Sequence, residues 1–425
     1  MLLNKLKQTL SGQFVRNVGW LGSAELLNRV FRLGTTVILT RLLSTNDYGL
    51  LAIIATTSEF ANVFTLRGGI GSKLIQADES DVKVLAETAY WLNWIIFCSI
   101  FTIQCLASFP VAGFYGNNNV ILPICVSALS YLVQPFFIVQ SALIERENRL
   151  NVMAICNVTQ SMISNVLTIG LALLGMGIWA VIISSLIAIP VWIVITYRNH
   201  SWRPKMSFTL ERWQELANFG TSILGVDLLN KLRANADYLL VGRFLGVDAL
   251  GLYYFAFNAG LGISLNIMGV FWVAMFPHLC AARNNFNQFK KRYFDGLKGM
   301  ALVFVPLILL QAGAAPFYVP IVFGQKWIPA IPILVLVCLS ALPRGFANVS
   351  YQLLQAVDKT TLAFYWDLIF TAIFMIALLV AVQWGIYWVA ASVLITHVLA
   401  LPLFTIWVTK YVFGKNSSFS IANEK

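Results

Sequence analysis

The sequence predicts an all-α integral membrane protein, with about twelve transmembrane helices in two parallel-repeat six-helix lobes around a central cavity. Three observations predict this fold class: the composition of the 425 residues, the length of the apolar runs, and a repeat within the chain. We expect an N-terminal six-helix lobe over residues 1–205 and a C-terminal one over residues 206–425.

The composition is typical of a chain that uses lipid as its solvent. Hydrophobic residues make up 59% of the chain, charged residues make up 11%, and the mean hydropathy is +0.76. Soluble domains are about 45–50% apolar and about 25% charged. These values exclude a soluble enzyme and a disordered chain. The net charge of +11 is better explained by basic loops at one face of a membrane than by nucleic-acid binding.

The apolar runs predict the helices directly, because a spanning helix needs about 20 mostly apolar residues. The runs are too long and too continuous for the alternating segments of a transmembrane β-barrel. The first, second and seventh runs are weaker because they contain charges. The twelve predicted spans are residues 20–42, 47–66, 88–110, 119–143, 151–174, 177–197, 216–241, 250–276, 297–315, 329–353, 363–382 and 386–408.

The basic residues predict the orientation of these spans. With the N-terminus inside, 21 of the 29 Lys and Arg residues lie in cytoplasmic segments, 3 lie on the opposite side and 5 lie within spans. The positive-inside rule therefore places both termini in the cytoplasm. The first residues also lack the apolar core of a cleavable signal peptide, which agrees with an N-terminus on the cytoplasmic side.

An internal repeat divides the spans into two sets of six. The segment "ELLNR" at Glu25–Arg29 returns as "DLLNK" at Asp227–Lys231, and "RLLSTNDYGL" at Arg41–Leu50 returns as "RFLGVDALGL" at Arg243–Leu252, both at an offset of 202. "GIWAVIISSL" at Gly177–Leu186 returns at an offset of 208. Six spans per half keep the two halves in the same orientation, which predicts a parallel repeat.

Charged residues form a stripe on the first span of each half. In the first half the spacing i, i+3, i+4 and i+7 places four polar side chains on one helix face. These residues are Glu25, Asn28, Arg29 and Arg32, and the matching positions in the second half are Asp227, Asn230, Lys231 and Ala234. Arg233 lies about 120° around the helix from Asp227 and is expected to face elsewhere.

Two interpretations of the stripe remain open. The acids and bases at i and i+4 can be neutralising pairs that permit insertion into the membrane, where a single charge costs about 2.5–3.5 kcal/mol. Alternatively, the surplus of Arg29, Arg32, Lys231 and Arg233 over the two acids lines a wet cationic cavity. We favour the cavity, since arginine and lysine there suit an anionic ligand such as a phosphate group.

Other ionisable residues also fall within spans. They are Glu59, Asp237, Arg344 and Asp367. Glu59 and Asp367 lie in the middle of otherwise apolar helices. Each is either a proton or sodium site, or an inward-facing structural acid with a partner that the sequence does not show.

Several motifs are interpreted as unrelated to chemistry. "RGGIGSKL" at Arg67–Leu74 lacks the complete pattern of a nucleotide-binding loop, so we expect a flexible loop end and no nucleotide. "ERENR" at Glu145–Arg149 is predicted to be a solvated cytoplasmic turn. The six cysteines form no Cys-x-x-Cys pair and the three histidines are scattered, so we expect free thiols and neither a metal nor a cofactor. No arrangement of catalytic groups is evident, so the chain is not expected to be an enzyme.

Four segments carry a resemblance to a known family. "TRLLSTNDYGLLAI", "GRFLGVDALGLYYFAF", "ALIERENRLNVMA" and "GIWAVIISSL" resemble segments of the Wzx-type polysaccharide (O-antigen and colanic-acid) flippases. The resemblance extends over about residues 14–410. These flippases belong to the multidrug/oligosaccharidyl-lipid/polysaccharide exporter superfamily.

The resemblance implies twelve helices in two lobes around a V-shaped cavity. It also implies flipping of undecaprenyl-pyrophosphate-linked oligosaccharide, in lipopolysaccharide or related polysaccharide biosynthesis, from the cytoplasmic to the outer leaflet of the bacterial inner membrane. Alternating access coupled to an ion is the expected mechanism. The implied partners are the polyprenyl-linked oligosaccharide, membrane lipid, and the polysaccharide polymerase and chain-length machinery.

The cationic cavity residues of the family map onto the charged stripe. The candidate substrate-binding residues are Asn28, Arg29, Arg32, Asn230, Lys231 and Arg233. The candidate ion-coupling residues are Glu25, Glu59, Asp227, Asp237 and Asp367. Ala234 at the repeat position of Arg32 departs from symmetry and weakens the expected contribution of the second lobe.

Three alternatives to a flippase are considered. A cation-coupled drug antiporter of the same superfamily would favour an acidic, aromatic cavity, which the positive stripe argues against. A membrane-embedded polysaccharide polymerase or ligase usually carries a large outer loop, whereas the predicted outer loops here are short. A non-transporting scaffold or a scramblase remains open.

Overall fold

The computed structural model describes residue 28 and residues 31–205, 207–283 and 285–414. Within these ranges the chain forms helices joined by short turns, and no strand occurs. The chain divides into two compact units, Met1–Lys231 and Leu232–Lys425. The lobe boundary predicted between residues 205 and 206 stays a prediction.

Nine described helices precede the polar segment that follows residue 199. They are α1 (residues 31–42), α2 (Thr45–Val63), α3 (Arg67–Gln76), α4 (Glu79–Tyr115), α5 (Ile121–Val133), α6 (Pro135–Arg146), α7 (Leu150–Leu173), α8 (Trp179–Ala188) and α9 (Pro190–Asn199). A short 3₁₀ turn at Asn118–Val120 connects α4 to α5.

Helix α10 (Trp213–Phe244) contains the boundary between the two units. The second unit continues with α11 (Val247–Ala259), α12 (Leu261–Cys280), α13 (Phe286–Tyr318), α14 (Ile331–Leu339), α15 (Ala341–Ala356), α16 (Thr360–Ala381) and α17 (Ile386–Phe413). Short helical turns join these helices at Val319–Phe323, Gln325–Ala330 and Val382–Trp384.

The protein is a multi-pass membrane protein. Among the described residues, eight helical segments are long and apolar enough to cross a membrane, and α5 with α6, bent by 51°, makes a possible ninth. These nine correspond to nine of the predicted spans. Predicted spans 216–241 and 250–276 are helical but do not meet the same criterion, and span 20–42 lies largely outside the described residues. The count of twelve stays a prediction.

The two units share one order of helices. Helices α2 and α11 begin 202 residues apart, at Thr45 and Val247. Helices α7 and α16 begin 210 residues apart, at Leu150 and Thr360. These offsets of 202 and 210 lie within two residues of the offsets of the sequence repeat, which are 202 and 208.

Turn chemistry explains why α2 begins where it does. The Ser44 hydroxyl accepts a hydrogen bond from the Asp47 backbone N–H (3.1 Å), and the Ser44 backbone N–H donates to Asp47 Oδ2 (2.9 Å). This reciprocal capping box satisfies two donors at the helix start. Gly246 takes the same place before α11 with a φ of 90°, a conformation that glycine adopts without strain.

The glycine-rich segment at Arg67–Leu74 is helical, so the prediction of a flexible loop end is wrong. It forms most of α3 (Arg67–Gln76), and its Gly69 lies against Gly220 of α10. A Cβ added to Gly69 would approach Gly220 Cα to 2.3 Å. Gly69 and Gly220 therefore permit close packing of α3 and α10. The spacing of the glycines within Arg67–Leu74 is not that of a phosphate-binding loop.

Candidate functional site

Helix α10 carries charged side chains that contact two different helices. In the first unit, Lys231 Nζ lies 3.0 Å from Glu59 Oε2 on α2. The two side chains remain 42% and 47% exposed. Since a charge facing hydrocarbon is costly, a half-exposed ion pair in membrane helices indicates an aqueous surrounding. The partner of Glu59 that the sequence did not show is thus a lysine 172 residues away.

A second charged group lies in the second unit. The Arg233 guanidinium donates to Asp367 Oδ1 on α16, and the Tyr351 hydroxyl of α15 donates to the same oxygen. Arg233 and Asp367 are more enclosed than the Lys231–Glu59 pair, at 26% and 20% exposure. Asp367 is therefore held by two donors from two helices.

Asp237 is the buried acid of this unit. Its Oδ2 accepts a hydrogen bond from the Tyr253 hydroxyl of α11 (2.8 Å), and its Oδ1 accepts one from the Tyr238 backbone N–H (3.0 Å). Arg344 of α15 interacts electrostatically with Asp237, Tyr253 and Arg233. Asp237 and Arg233 thus belong to one electrostatic network through Arg344.

Arg344 and His397 extend this network into the core of the second unit. Arg344 Nε is buried and has no hydrogen-bond partner among the described residues. His397 on α17 is 5% exposed, its Nδ1 lies 2.6 Å from the Val393 carbonyl oxygen, and its ring packs edge-on against Phe370 and Phe374. A buried polar network that is only partly hydrogen-bonded is energetically costly.

The structure brings some of the predicted site residues together and leaves others apart. Lys231 meets Glu59, and Arg233 meets Asp367, whereas Arg32 and Asp227 are exposed. Asn28 and Asn230 are half-buried, and the Asn28 Oδ1 atom has no hydrogen-bond partner among the described residues. Glu25 and Arg29 lie outside the described residues.

Sequence reasoning missed the tyrosines of the site. Tyr253 and Tyr351 each donate a hydroxyl to an aspartate. Tyr253 lies in the segment "GRFLGVDALGLYYFAF" that carries the family resemblance, just after the repeat ends at Leu252, and the matching residue of the first half is Leu51. No signal distinguished Tyr351 from an ordinary tyrosine of a membrane helix.

The segment after α9 is bound to α4 in the first unit. Arg212 Nη1 lies 2.8 Å from Asp81 Oδ2, and Lys205 Nζ lies 3.1 Å from Glu87 Oε1. The Trp91 indole N–H donates to the Ser207 carbonyl oxygen (2.9 Å). The basic residues of this segment are therefore partly neutralised by the acidic start of α4.

The prediction of a solvated turn for "ERENR" is only partly confirmed, because Glu147 and Asn148 form a turn whereas Glu145 and Arg146 end α6 and both arginines cap helix ends. Arg146 Nη1 donates to the carbonyl oxygens of Leu74 (3.1 Å) and Ile75 (2.9 Å) at the end of α3. Arg149 Nη1 donates to the carbonyl oxygen of Asn199 (2.7 Å) at the end of α9. Guanidinium groups at helix C-termini satisfy carbonyls that have no helical partner.

Comparison with known proteins identifies relatives over most of the chain. The teichuronic acid biosynthesis protein TuaB of Bacillus subtilis (strain 168) is 27% identical over 423 residues, covering 96% of this chain and 85% of its own. The lipopolysaccharide biosynthesis protein WzxC of Escherichia coli (strain K12) is 22% identical, covering 81% of this chain and 70% of its own.

Solved structures share the fold. The lipid II flippase MurJ in an inward closed conformation matches with a TM-score of 0.76 and 14% identity, over 92% of this chain and 87% of its own. An inward-facing multidrug resistance MATE family transporter of the MOP superfamily matches with a TM-score of 0.75 and 15% identity, over 94% and 96%. At these identities the likeness shows the fold alone.

A family model assigns the chain. The model described as "Polysaccharide biosynthesis protein" matches residues 38–332, which is more than half of the sequence. The matched residues include α2, which carries Glu59, and α10, which carries Lys231 and Arg233. The chain belongs to the polysaccharide biosynthesis protein family.

Proposed function

We propose that this chain flips a polyprenyl-pyrophosphate-linked oligosaccharide from the cytoplasmic to the outer leaflet of the bacterial plasma membrane, by alternating access and without covalent chemistry. Membership of the polysaccharide biosynthesis protein family supports the pathway. A fold shared with a lipid II flippase is consistent with movement of a lipid-linked headgroup. The partners we propose are the lipid-linked oligosaccharide and membrane lipid.

The observation that carries the proposal is the half-exposed Lys231–Glu59 pair. A lysine that contacts a carboxylate can exchange that carboxylate for a pyrophosphate oxygen, since both are anionic acceptors. The exposure of the pair leaves room for this exchange. We propose that Lys231 binds the pyrophosphate, with Asn28, Arg32 and Asn230 as further ligands. Arg29 is proposed as a ligand from the sequence alone.

We also propose that transport is coupled to an ion. Glu59 contacts Lys231 and Asp367 contacts Arg233, so each of these carboxylates already has a cationic partner. We therefore propose coupling to protons, because protonation of one of these carboxylates would release its basic partner. Asp237, the exposed Asp227 and Glu25 are the remaining candidates.

Proton and sodium coupling can be separated in proteoliposomes. Flipping of a fluorescent lipid-linked oligosaccharide is measured with an imposed pH gradient, with a sodium gradient, or with neither. A proton-coupled flippase accelerates only with the pH gradient. Acceleration by the sodium gradient alone would contradict the proposed ion and leave the flipping itself intact.

The proposed function is tested first in the host. Deletion of the gene is expected to abolish a surface polysaccharide and to accumulate lipid-linked units on the cytoplasmic side. Complementation with Lys231→Arg is expected to restore the polymer, whereas Lys231→Ala is expected to reduce it at least about tenfold, because one charged contact is worth about 1.5–3 kcal/mol. Lys326→Ala, at an exposed lysine remote in sequence, is the matched control.

The competing proposal is a cation-coupled drug antiporter. A shared fold with a multidrug transporter does not separate the two, since the identity is only 15%. The lysine and arginines of α10 favour an anionic substrate over cationic drugs. Unchanged polysaccharide with altered drug tolerance in the deletion strain would favour the antiporter, provided that the strain has no second flippase.

A further inference from the structure

A basic face lies at the start of α13 and takes no part in the proposed transport. Lys290, Phe294 and Lys298 follow one another at i, i+4 and i+8, and Lys291 lies beside them. The three lysines are exposed, and the Phe294 ring is 37% exposed although it is apolar. We call Lys290, Lys291, Phe294 and Lys298 the lysine face.

Packing on the opposite side of α13 sets the direction of this face. Phe289 and Tyr293 are fully buried, and the Tyr293 hydroxyl is hydrogen-bonded to Ser350 Oγ of α15 (2.9 Å) and Thr409 Oγ1 of α17 (2.8 Å). Gly296 lies so close to α12 that an added Cβ would approach Met275 Cε to 2.3 Å. The helix therefore cannot turn its lysines toward the core.

The lysine face is continuous with side chains that face lipid. Lys291, Lys298, Leu302 and Leu309 lie within about 20° of one line along the helix. Leu302 is 79% exposed and Leu309 is 51% exposed, which in a membrane helix indicates contact with acyl chains. Lys298 precedes Leu302 by one turn, or about 6 Å. The ammonium groups thus lie at the level of lipid headgroups, where lysine side chains extend toward the interface.

The corresponding end of the first unit has the opposite charge, and its acids are paired with basic side chains. Helix α4 begins with Glu79, Asp81 and Glu87, which pair with Arg146, Arg212 and Lys205. Ion pairs of the second unit include Arg233–Asp367 and Arg283–Asp358, and no ion pair among the described residues includes a lysine of the lysine face.

Two further charged residues of α13 lie beside the lysine face. Arg292 faces away and donates to the His278 carbonyl oxygen (2.7 Å). Asp295 lies at the edge of the face and offsets one of its three positive charges. The net charge of the face and its edge is therefore +2.

We propose that the lysine face binds the headgroups of anionic phospholipids in the leaflet that the positive-inside rule assigns to the cytoplasmic side. Each lysine near an anionic membrane surface contributes attraction that falls off within a Debye length. Phe294 adds an aromatic ring at the interface, where amphipathic and aromatic side chains are favoured. The surface selects lipid by charge and does not depend on the proposed transport.

The test compares lipid selectivity of two variants with equal charge change. The full chain is reconstituted in phosphatidylcholine, and association of spin-labelled phosphatidylglycerol is measured relative to spin-labelled phosphatidylcholine. The lysine-face variant is Lys290→Gln, Lys291→Gln and Lys298→Gln. The control variant removes three exposed lysines that lie on other elements, Lys83→Gln, Lys326→Gln and Lys359→Gln.

Wild type and the control variant are expected to prefer phosphatidylglycerol over phosphatidylcholine. In the lysine-face variant the ratio of phosphatidylglycerol to phosphatidylcholine association is expected to fall at least about fivefold. A variant with all three lysines replaced by arginine should keep the preference and would show that the position tolerates substitution. Raising the salt concentration should weaken the preference of wild type toward that of the lysine-face variant.

Three results would overturn the proposal. Equal preference in wild type and the lysine-face variant would show that the face does not bind lipid. An equal loss in the control variant would show a general effect of net charge. The third result has two parts: millimolar inorganic pyrophosphate displaces phosphatidylglycerol, and the lysine-face variant also loses pyrophosphate binding in detergent without phospholipid. Together these would assign the face to a soluble anion.

Discussion

The carboxylate of Asp237 shows, at the scale of one residue, how a membrane helix tolerates a buried acid. Asp237 is only 5% exposed, and the Tyr253 hydroxyl donates to its Oδ2 at 2.8 Å. Arg344 supplies a balancing positive charge nearby. An acid buried without these partners would be left with its full desolvation cost.

Removal of the tyrosine hydroxyl is therefore expected to destabilise the protein. Tyr253→Phe should lower the free energy of unfolding by about 1.5–3 kcal/mol, the usual value of a hydrogen bond to a charged group. Thermal unfolding in detergent measures the change. Tyr365→Phe, at a tyrosine that is 60% exposed, serves as the control and should change stability little. An unfolding temperature that does not change in Tyr253→Phe would show that the hydroxyl does not stabilise the acid.

The charged residues of the site were predictable from the sequence, but their partners were not. Intramembrane charge made Glu59, Lys231, Arg233 and Asp367 candidates. The pairs that they form join residues 172 and 134 positions apart. No local spacing rule reaches that far, so the choice between an intrahelical pair and an interhelical pair needed the tertiary structure. Lys231 contacts Glu59 of another helix.

At the scale of helices, glycine decides how closely α3 and α10 pack. A Cβ on Gly69 would meet the backbone of Gly220, which cannot move without separating the two helices. Gly69→Ala is therefore expected to lower the free energy of unfolding by about 1–3 kcal/mol, the usual cost of overpacking. Thermal unfolding of the purified protein measures it.

Gly71 of the same helix is the matched control. A Cβ there has no atom within 4 Å. Gly71→Ala is expected to stabilise α3 by about 0.5–1 kcal/mol, because alanine loses less backbone freedom in a helix. Two changes of the same kind, two residues apart, should thus have opposite signs. Equal effects would contradict the close contact.

The end of α9 is expected to respond to pH. His200 follows α9, its Nδ1 accepts a hydrogen bond from the Trp202 backbone N–H (3.0 Å), and its Nε2 lies 3.5 Å from Glu147 Oε1. Burial lowers the pKa of His200, the charges of Arg149 and Arg203 lower it further, and Glu147 opposes them. Protonation at Nδ1 would also remove the acceptor for Trp202.

The direction of the pH effect on stability follows from the lowered pKa of His200. Because the folded pKa of His200 lies below the unfolded value of about 6.5, the unfolded state binds the proton more readily. Stability from His200 is complete above pH 6.5 and is lost as the pH falls through the folded pKa. The lowered pKa of Glu215, caused chiefly by its hydrogen bond to Arg212, acts only below about pH 4.5.

His200→Asn keeps an acceptor oxygen near Trp202 and removes the titration. Unfolding temperatures between pH 7.5 and pH 5.5 are expected to fall more steeply for wild type than for this variant. Parallel curves would show that His200 does not control stability in this range. The other two histidines, His278 and His397, are unchanged in both proteins and so cancel in the comparison.

At the scale of the whole molecule, the orientation in the membrane is open to a direct test. The six native cysteines are free, so a cysteine-free background can carry single cysteines at chosen turns. Asn118 and Gln325 are exposed in turns that the positive-inside count places outside, and Lys205 and Lys359 are exposed in turns placed inside.

A membrane-impermeant maleimide is expected to label cysteines at positions 118 and 325 in intact cells, but those at 205 and 359 only after the cells are permeabilised. The opposite pattern would place both termini outside. Labelling of all four positions in intact cells would instead indicate that the cells are permeable. Labelling of a cytoplasmic marker protein by the same impermeant maleimide identifies such a preparation.

The sequence by itself determined the membrane class, the helical runs and the two similar halves of this protein. Composition and apolar length are local properties, and the lipid environment imposes them directly on each helix. Only the tertiary structure decided that Glu59 meets Lys231, that Asp367 meets Arg233 and Tyr351, and that Gly69 packs on Gly220. These contacts depend on which helix faces come together, and a pattern of period 3.6 specifies a face without specifying its partner.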